Sequence, residues 1–86
     1  MNQSSVNFQQ LYYRLVQLEL QRVVNLVKVS LPNEDLSGVE ENLNANELGL
    51  ALEDLFQIIS QNESISEEVN EQIKILAEVM DVELKA

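Results

Sequence analysis

The sequence predicts an all-α fold, a small antiparallel four-helix bundle-like domain, on three observations. Only two Gly and one Pro interrupt the 86 residues, so few turns are obligatory and long stretches are free to be helical. Apolar residues recur at spacings of three and four through most of the chain, the period of a helix with one buried face. The segments are separated by short polar stretches, and short connections force consecutive helices to lie beside each other. At this length the expectation is a single helical domain, residues 1–86 with a core from about 5 to 81, and no room for a second module.

The first segment, Ser5 to Val29, carries Leu11, Leu15, Leu18, Val23 and Leu26 on one broad face, with Gln10, Arg14, Gln17, Gln21 and Lys28 opposite. It is predicted as the longest helix, capped by Ser4 or Ser5 ahead of Val6. A second, narrower apolar line through Val6, Tyr13, Leu20 and Val24 suggests cover on more than one side. Residues Val27 to Leu31 alternate as a strand would, but helix is retained up to Pro32, which ends it at Val29 or Ser30.

Asn33 then suits a cap for a short second helix, Glu34 to Leu43, with Leu36, Val39 and Leu43 inward and Gly38 as its weak point. Asn42, Asn44 and Asn46 mark a turn. The third helix, Glu47 to Gln61, has the clearest core stripe in Leu48, Ala51, Leu52, Leu55, Ile58 and Ile59, with Asn44 or Asn46 as caps. Ser64 to Glu67 offers two caps, one of them a capping box, for a fourth helix with Val69, Ile73, Leu76, Ala77 and Met80 inward. Glu67 and Glu68 suit the positive end of its dipole. Asp81 to Ala86 reads as a frayed tail. Phe8, Tyr12, Tyr13 and Phe56 are expected in core or edge packing.

Composition excludes much of enzyme chemistry. With no Cys and no His, thiolate nucleophiles, imidazole bases, disulfides and the commonest metal ligands are all missing. The acidic pairs Glu40 and Glu41, Glu53 and Glu67 with their neighbours Asp54 and Glu68 are sequence-adjacent. Adjacent helical residues point about 100° apart, the wrong geometry for opposed acid and base. No acidic run alternates around a central Gly as a calcium loop does. The chain is therefore read as no enzyme, with no cofactor and no metal. Met1 to Gln10 lacks a basic segment before an apolar run, and no stretch is apolar for long enough to span a bilayer, so a cytoplasmic location is expected.

Fifteen acidic and five basic residues give a net charge of -10, which repels nucleic acid and anionic membranes and attracts a basic partner. The distribution is sharper than the sum: between Lys28 and Lys74 every charged residue is negative. One reading is a solubilising surface; the other is a docking face. Leu50 belongs to the same question. If Leu48, Leu52, Leu55 and Ile59 face inward, Leu50 points out among Glu47, Glu53, Asp54 and Gln57, as an anchor within a charged rim would. The alternative is a third helix buried nearly all round.

The run Asn46-Glu47-Leu48-Gly49-Leu50-Ala51-Leu52-Glu53-Asp54-Leu55 resembles the signature of the Maf-type immunity proteins, small bacterial proteins that neutralise the toxin domains of polymorphic toxins and contact-dependent inhibition systems. The pattern falls on Glu47, Gly49, Leu50, Ala51, Leu52, Glu53 and Leu55. Ile65-Ser66-Glu67-Glu68 and Leu76-Ala77-Glu78-Val79-Met80 are also similar, so the likeness spans about residues 34 to 82. Asn44-Ala45-Asn46 departs from it, standing where Gly or His is usual. The resemblance implies tight binding of a cognate toxin C-terminal domain in the cytoplasm. A basic nuclease domain would suit the charge, with Glu34, Asp35, Glu40, Glu41, Glu47, Glu53 and Asp54 contributing to the contact and Leu50 as anchor. Glu53 could alternatively hold a cap or a neighbouring helix.

Three rival readings stand beside it. An acyl-carrier-like protein needs a Ser opening its second helix, usually in Asp-Ser-Leu, whereas Asp35-Leu36-Ser37 has another order. A helical adaptor would form a weak homodimer through Val6, Tyr13, Leu20 and Val24. A nucleic-acid mimic would block a basic enzyme in the same way as an immunity protein blocks a toxin.

Overall fold

The computed structural model describes residues 3–85, with side chains described from Phe8 onward. It is all-α: α1 (Gln3–Ser30), α2 (Ser37–Asn44), α3 (Leu48–Ser60) and α4 (Glu67–Met80), with no strand among the described residues. Helix α1, at 28 residues, is about 42 Å long at 1.5 Å per residue. It accounts for most of the molecule's 49 Å long axis, against 21 and 19 Å across. Helices α2 and α3 form the most extensive pair, while α1 packs chiefly on α4 and also on α3. Contact between α1 and its successor α2 is slighter than any of these, and an ion pair between Lys28 and Glu40 is part of it.

The inward face of α1 differs from the predicted one. Val16, Leu20, Val23, Val24 and Val27 are buried, whereas Leu11, Leu15, Leu18 and Leu26 are exposed. Of the expected stripe only Val23 is inside. Both faces are apolar in sequence, and the reason for the choice lies in Arg22. The leucine face carries that guanidinium midway along, and burying it unpaired would be costly. The face through Val16 and Leu20 to Val27 carries no charge, and its short valines admit neighbouring helices closely. Leu20 and Val24 are therefore fully buried and cannot serve as a dimer seam; Val6, like the Ser4 and Ser5 side chains, lies outside the described side chains. Helix α1 begins at Gln3, so Ser4 and Ser5 stand inside it rather than capping it.

The short helices begin later and end otherwise than expected. Leu31 N–H still donates to the Val27 carbonyl at 2.7 Å, and Glu34 N–H to the Leu31 carbonyl at 3.1 Å, so the chain turns through Pro32 before α2 opens at Ser37. Asp35, not Asn33, serves the new helix, its Oδ1 accepting from Ser37 N–H at 3.0 Å. Asn46 does not cap α3 with its side chain; it sits at φ 62°, the left-handed region that Asn tolerates better than most residues. Glu47 is the N-cap of α3, without a side-chain bond. At α4 the structure selects Ser66, whose Oγ accepts from Val69 N–H at 3.3 Å.

The tail is packed rather than frayed. Asp81 adopts φ 57° and ψ 45° at the end of α4, and Asp81 N–H and Val82 N–H donate to the Glu78 and Ala77 carbonyls at 3.2 and 2.9 Å. This left-handed termination reverses the chain and caps the last carbonyls. Val82 and Leu84 then lie against the core, and Val82 comes close enough to Gly49 that an added β-carbon there would meet it at 3.6 Å. Buried side chains among the described residues are all hydrophobic, from Val16 to Ala77. Phe8 is exposed, against expectation; Tyr12 and Tyr13 are partly exposed at the edge of the bundle, and Phe56 packs partly against the core.

Candidate functional site

Helix α3 is built as the sequence predicts. Leu48, Ala51, Leu52, Leu55 and Ile59 are buried, Ile58 partly so. The positions three, four and seven beyond Leu50 therefore share its outer face. Leu50 is half exposed, so α3 is not buried all round. Glu47, Glu53, Asp54 and Gln57 surround it, and all four are exposed.

Helix α2 lies antiparallel beside α3 and extends this surface. Asn42 donates from Nδ2 to Asp54 Oδ2 at 2.9 Å, joining the two helices near their middle. At the other end Asn62, just past α3, reaches Glu34 Oε2 at 3.5 Å, a long and therefore weak contact. The acidic residues thus follow the α2–α3 layer from Glu34 and Asp35 to Glu47, a path of about 20 Å by helix rise. Glu41 is exposed on α2. Glu40 turns the other way and pairs with Lys28 of α1, which partly neutralises it. Ser37 and Asp35 are both exposed; the Asp35 carboxyl is held below its ordinary value by the hydroxyl and then the backbone N–H of Ser37.

The side chain of Glu53, whose alternative role was to hold a cap or helix, makes no hydrogen bond among the described residues. It borders a shallow open depression with Gln57, Glu83 and Lys85, where Gln57 Nε2 donates to the Lys85 carbonyl at 2.7 Å. Sequence reasoning had no route to this depression, because it depends on the reversal of the tail at Asp81. A second shallow groove was also missed: Tyr12, Tyr13 and Val16 of α1 face Asn46 to Gly49 and the end of α4 at Met80 and Val82. Tyr12 donates its hydroxyl to the Val79 carbonyl at 2.7 Å, and the two tyrosine rings meet edge to face with centroids 5.6 Å apart.

Basic side chains are concentrated on α1. Arg22 forms a bidentate pair with Glu19, at 3.0 Å from Nε and 2.6 Å from Nη2. Glu19 is held below its usual range chiefly by that hydrogen bond, and Glu68 on α4 also attracts the guanidinium. With Arg14, Arg22 and Lys28 against Glu19, α1 has a net charge of +2, leaving -12 for the remainder of the chain.

Chemically, the α2–α3 surface offers solvated carboxylates around one exposed leucine. Such an arrangement presents a negative potential that favours the approach of cationic groups. No group of three or more metal-ligating side chains is brought together among the described residues, and no helix is long and apolar enough to cross a membrane. Comparison with protein-family models, curated proteins and solved structures finds no match to this chain.

Proposed function

We propose that this chain is an immunity-type protein that acts by binding rather than catalysis, occupying the basic surface of a cognate toxin domain in the cytoplasm. The observation that carries the reading is the half-exposed Leu50 set among Glu47, Glu53 and Asp54. A buried-on-binding apolar anchor supplies affinity, while its carboxylate rim steers a cationic partner and fixes register. The resemblance of Asn46 to Leu55 to the Maf-type immunity signature supports the same reading, with Gly49, Ala51, Leu52 and Leu55 supporting the helix and Leu50, Glu53 and Asp54 meeting the partner. A nuclease is the toxin class that best suits the charge, since a phosphate-binding surface is basic.

The test is a titration of the chain against the toxin domain encoded beside it, at low and high salt. Tight binding that weakens with salt, and that falls at least tenfold in Leu50→Ala and in the combined Glu47→Lys, Glu53→Lys, Asp54→Lys variant, supports the reading. Binding unchanged by these substitutions moves the contact to another face. An intact mass increased by a phosphopantetheine arm on Ser37 would replace the reading with the carrier one.

A further inference from the structure

We propose that the outer face of α1 is a self-association surface whose occupant is a second copy of this chain. Phe8, Leu11, Leu15 and Leu18 follow the alternating three- and four-residue spacing of a two-helix seam. Arg22 falls in the same register, but its guanidinium keeps its Glu19 partner and reaches into solvent, so the apolar seam resumes beyond it at Val29, with Leu26 beside Asn25. The core uses the opposite side of the helix, so among the described residues these apolar side chains stay largely exposed. Phe8 is 74% exposed, Leu15 56%, Leu18 60% and Val29 81%. From Phe8 to Leu15 no side chain of α1 is buried; Tyr12 and Tyr13, on another side of the helix, face the end of α4, where Tyr12 is hydrogen-bonded.

Area selects the occupant. At roughly 150–200 Å² for a large apolar side chain, the exposed parts of Phe8, Leu11, Leu15, Leu18, Leu26 and Val29 amount to on the order of 600 Å². That is the upper range for a patch on a monomer. Doubled across a two-fold axis it gives on the order of 1,200 Å², the lower limit of a specific interface. The strip lies on the one helix with a positive balance, +2, whereas the rest of the chain is at -12. Pairing α1 with α1 of a second copy keeps both acidic bodies on the far sides of the seam. The surface is distinct from the α2–α3 acidic layer, and its test does not depend on that layer's partner.

The experiment is sedimentation equilibrium of the full chain from about 1 to about 200 μM. The expected result is a mass rising from 9.8 kDa towards twice that value. Leu15→Glu with Leu18→Glu should remain monomeric throughout with an unchanged helical spectrum; if the spectrum is lost, Leu15→Gln with Leu18→Gln is measured to the same criterion. Ile75→Glu, an exposed site on α4, should dimerise as the parent does. A parent that stays at the monomer mass across the range overturns the proposal. So does dimerisation undiminished in the folded Leu15 and Leu18 variant. Incubation with phosphatidylglycerol vesicles supplies the remaining arm: binding by a monomeric parent, abolished in that variant, assigns the face to a membrane instead.

Discussion

Leu20→Ala and Leu18→Ala, two substitutions of the same type two residues apart on α1, should differ by several kcal/mol. Leu20 is fully buried and Leu18 is 60% exposed. Removing the buried side-chain carbons forfeits about 0.8 kcal/mol per methylene, and the residual cavity brings the Leu20 cost to about 3–4 kcal/mol. At Leu18 little contact is lost and alanine favours the helix, so the change should stay within about 0.5 kcal/mol. For a chain of this size 1 kcal/mol moves the melting temperature by about 4–8 °C. Leu20→Ala should therefore lower it by on the order of 20 °C and Leu18→Ala by only a few degrees. The assay is thermal and urea unfolding followed by circular dichroism at low micromolar concentration, where association contributes little to apparent stability. If Leu18→Ala proves as destabilising as Leu20→Ala, the leucine face is the buried one and the argument from Arg22 is wrong.

Ser66→Ala removes the hydroxyl that accepts from Val69 N–H and should cost about 1 kcal/mol, measured by urea unfolding; Ser64→Ala should be neutral, which separates the two candidate caps. Gly38→Ala places a methyl where no atom beyond its chain neighbours and its own helix backbone lies within 4 Å and should stabilise by about 0.5–1 kcal/mol, because alanine loses less backbone entropy in α2; a lower melting temperature would contradict this. The depressed carboxyls of Glu19 and Asp35 predict the acid limb. Because their folded values lie below their unfolded ones, their contribution is intact above about pH 5 and is lost as pH falls below about 4. Melts from pH 7 to 3 should show a shallower acid loss in Glu19→Gln with Asp35→Asn than in the parent, and coincident profiles would remove these two groups from the explanation.

Much of the fold was legible because local chemistry suffices for it. A single amphipathic face determines α3 and α4: Leu48, Leu52, Leu55 and Ile59, then Val69, Ile73 and Leu76, each had one side to bury. Pro32 ended α1 for a steric reason that needs no tertiary context. The outward direction of Leu50 followed from helical geometry once the stripe of α3 was known, and the acidic run from Glu34 to Asp54 was visible as charge. Helix α1 was a different case, since it has two apolar faces and periodicity favoured the broader leucine one. Only packing against α3 and α4 decided between them, and it placed the uncharged valine face inside because the Arg22 face could not be desolvated cheaply. The tail was undetermined for a related reason: residues Asp81 to Lys85 have no periodic pattern, and their order depends on a left-handed turn at Asp81 that brings Val82 onto Gly49. Sequence determined which residues seek burial; the tertiary structure decided which of them find it, because the core has room for one face of α1 and leaves the other exposed.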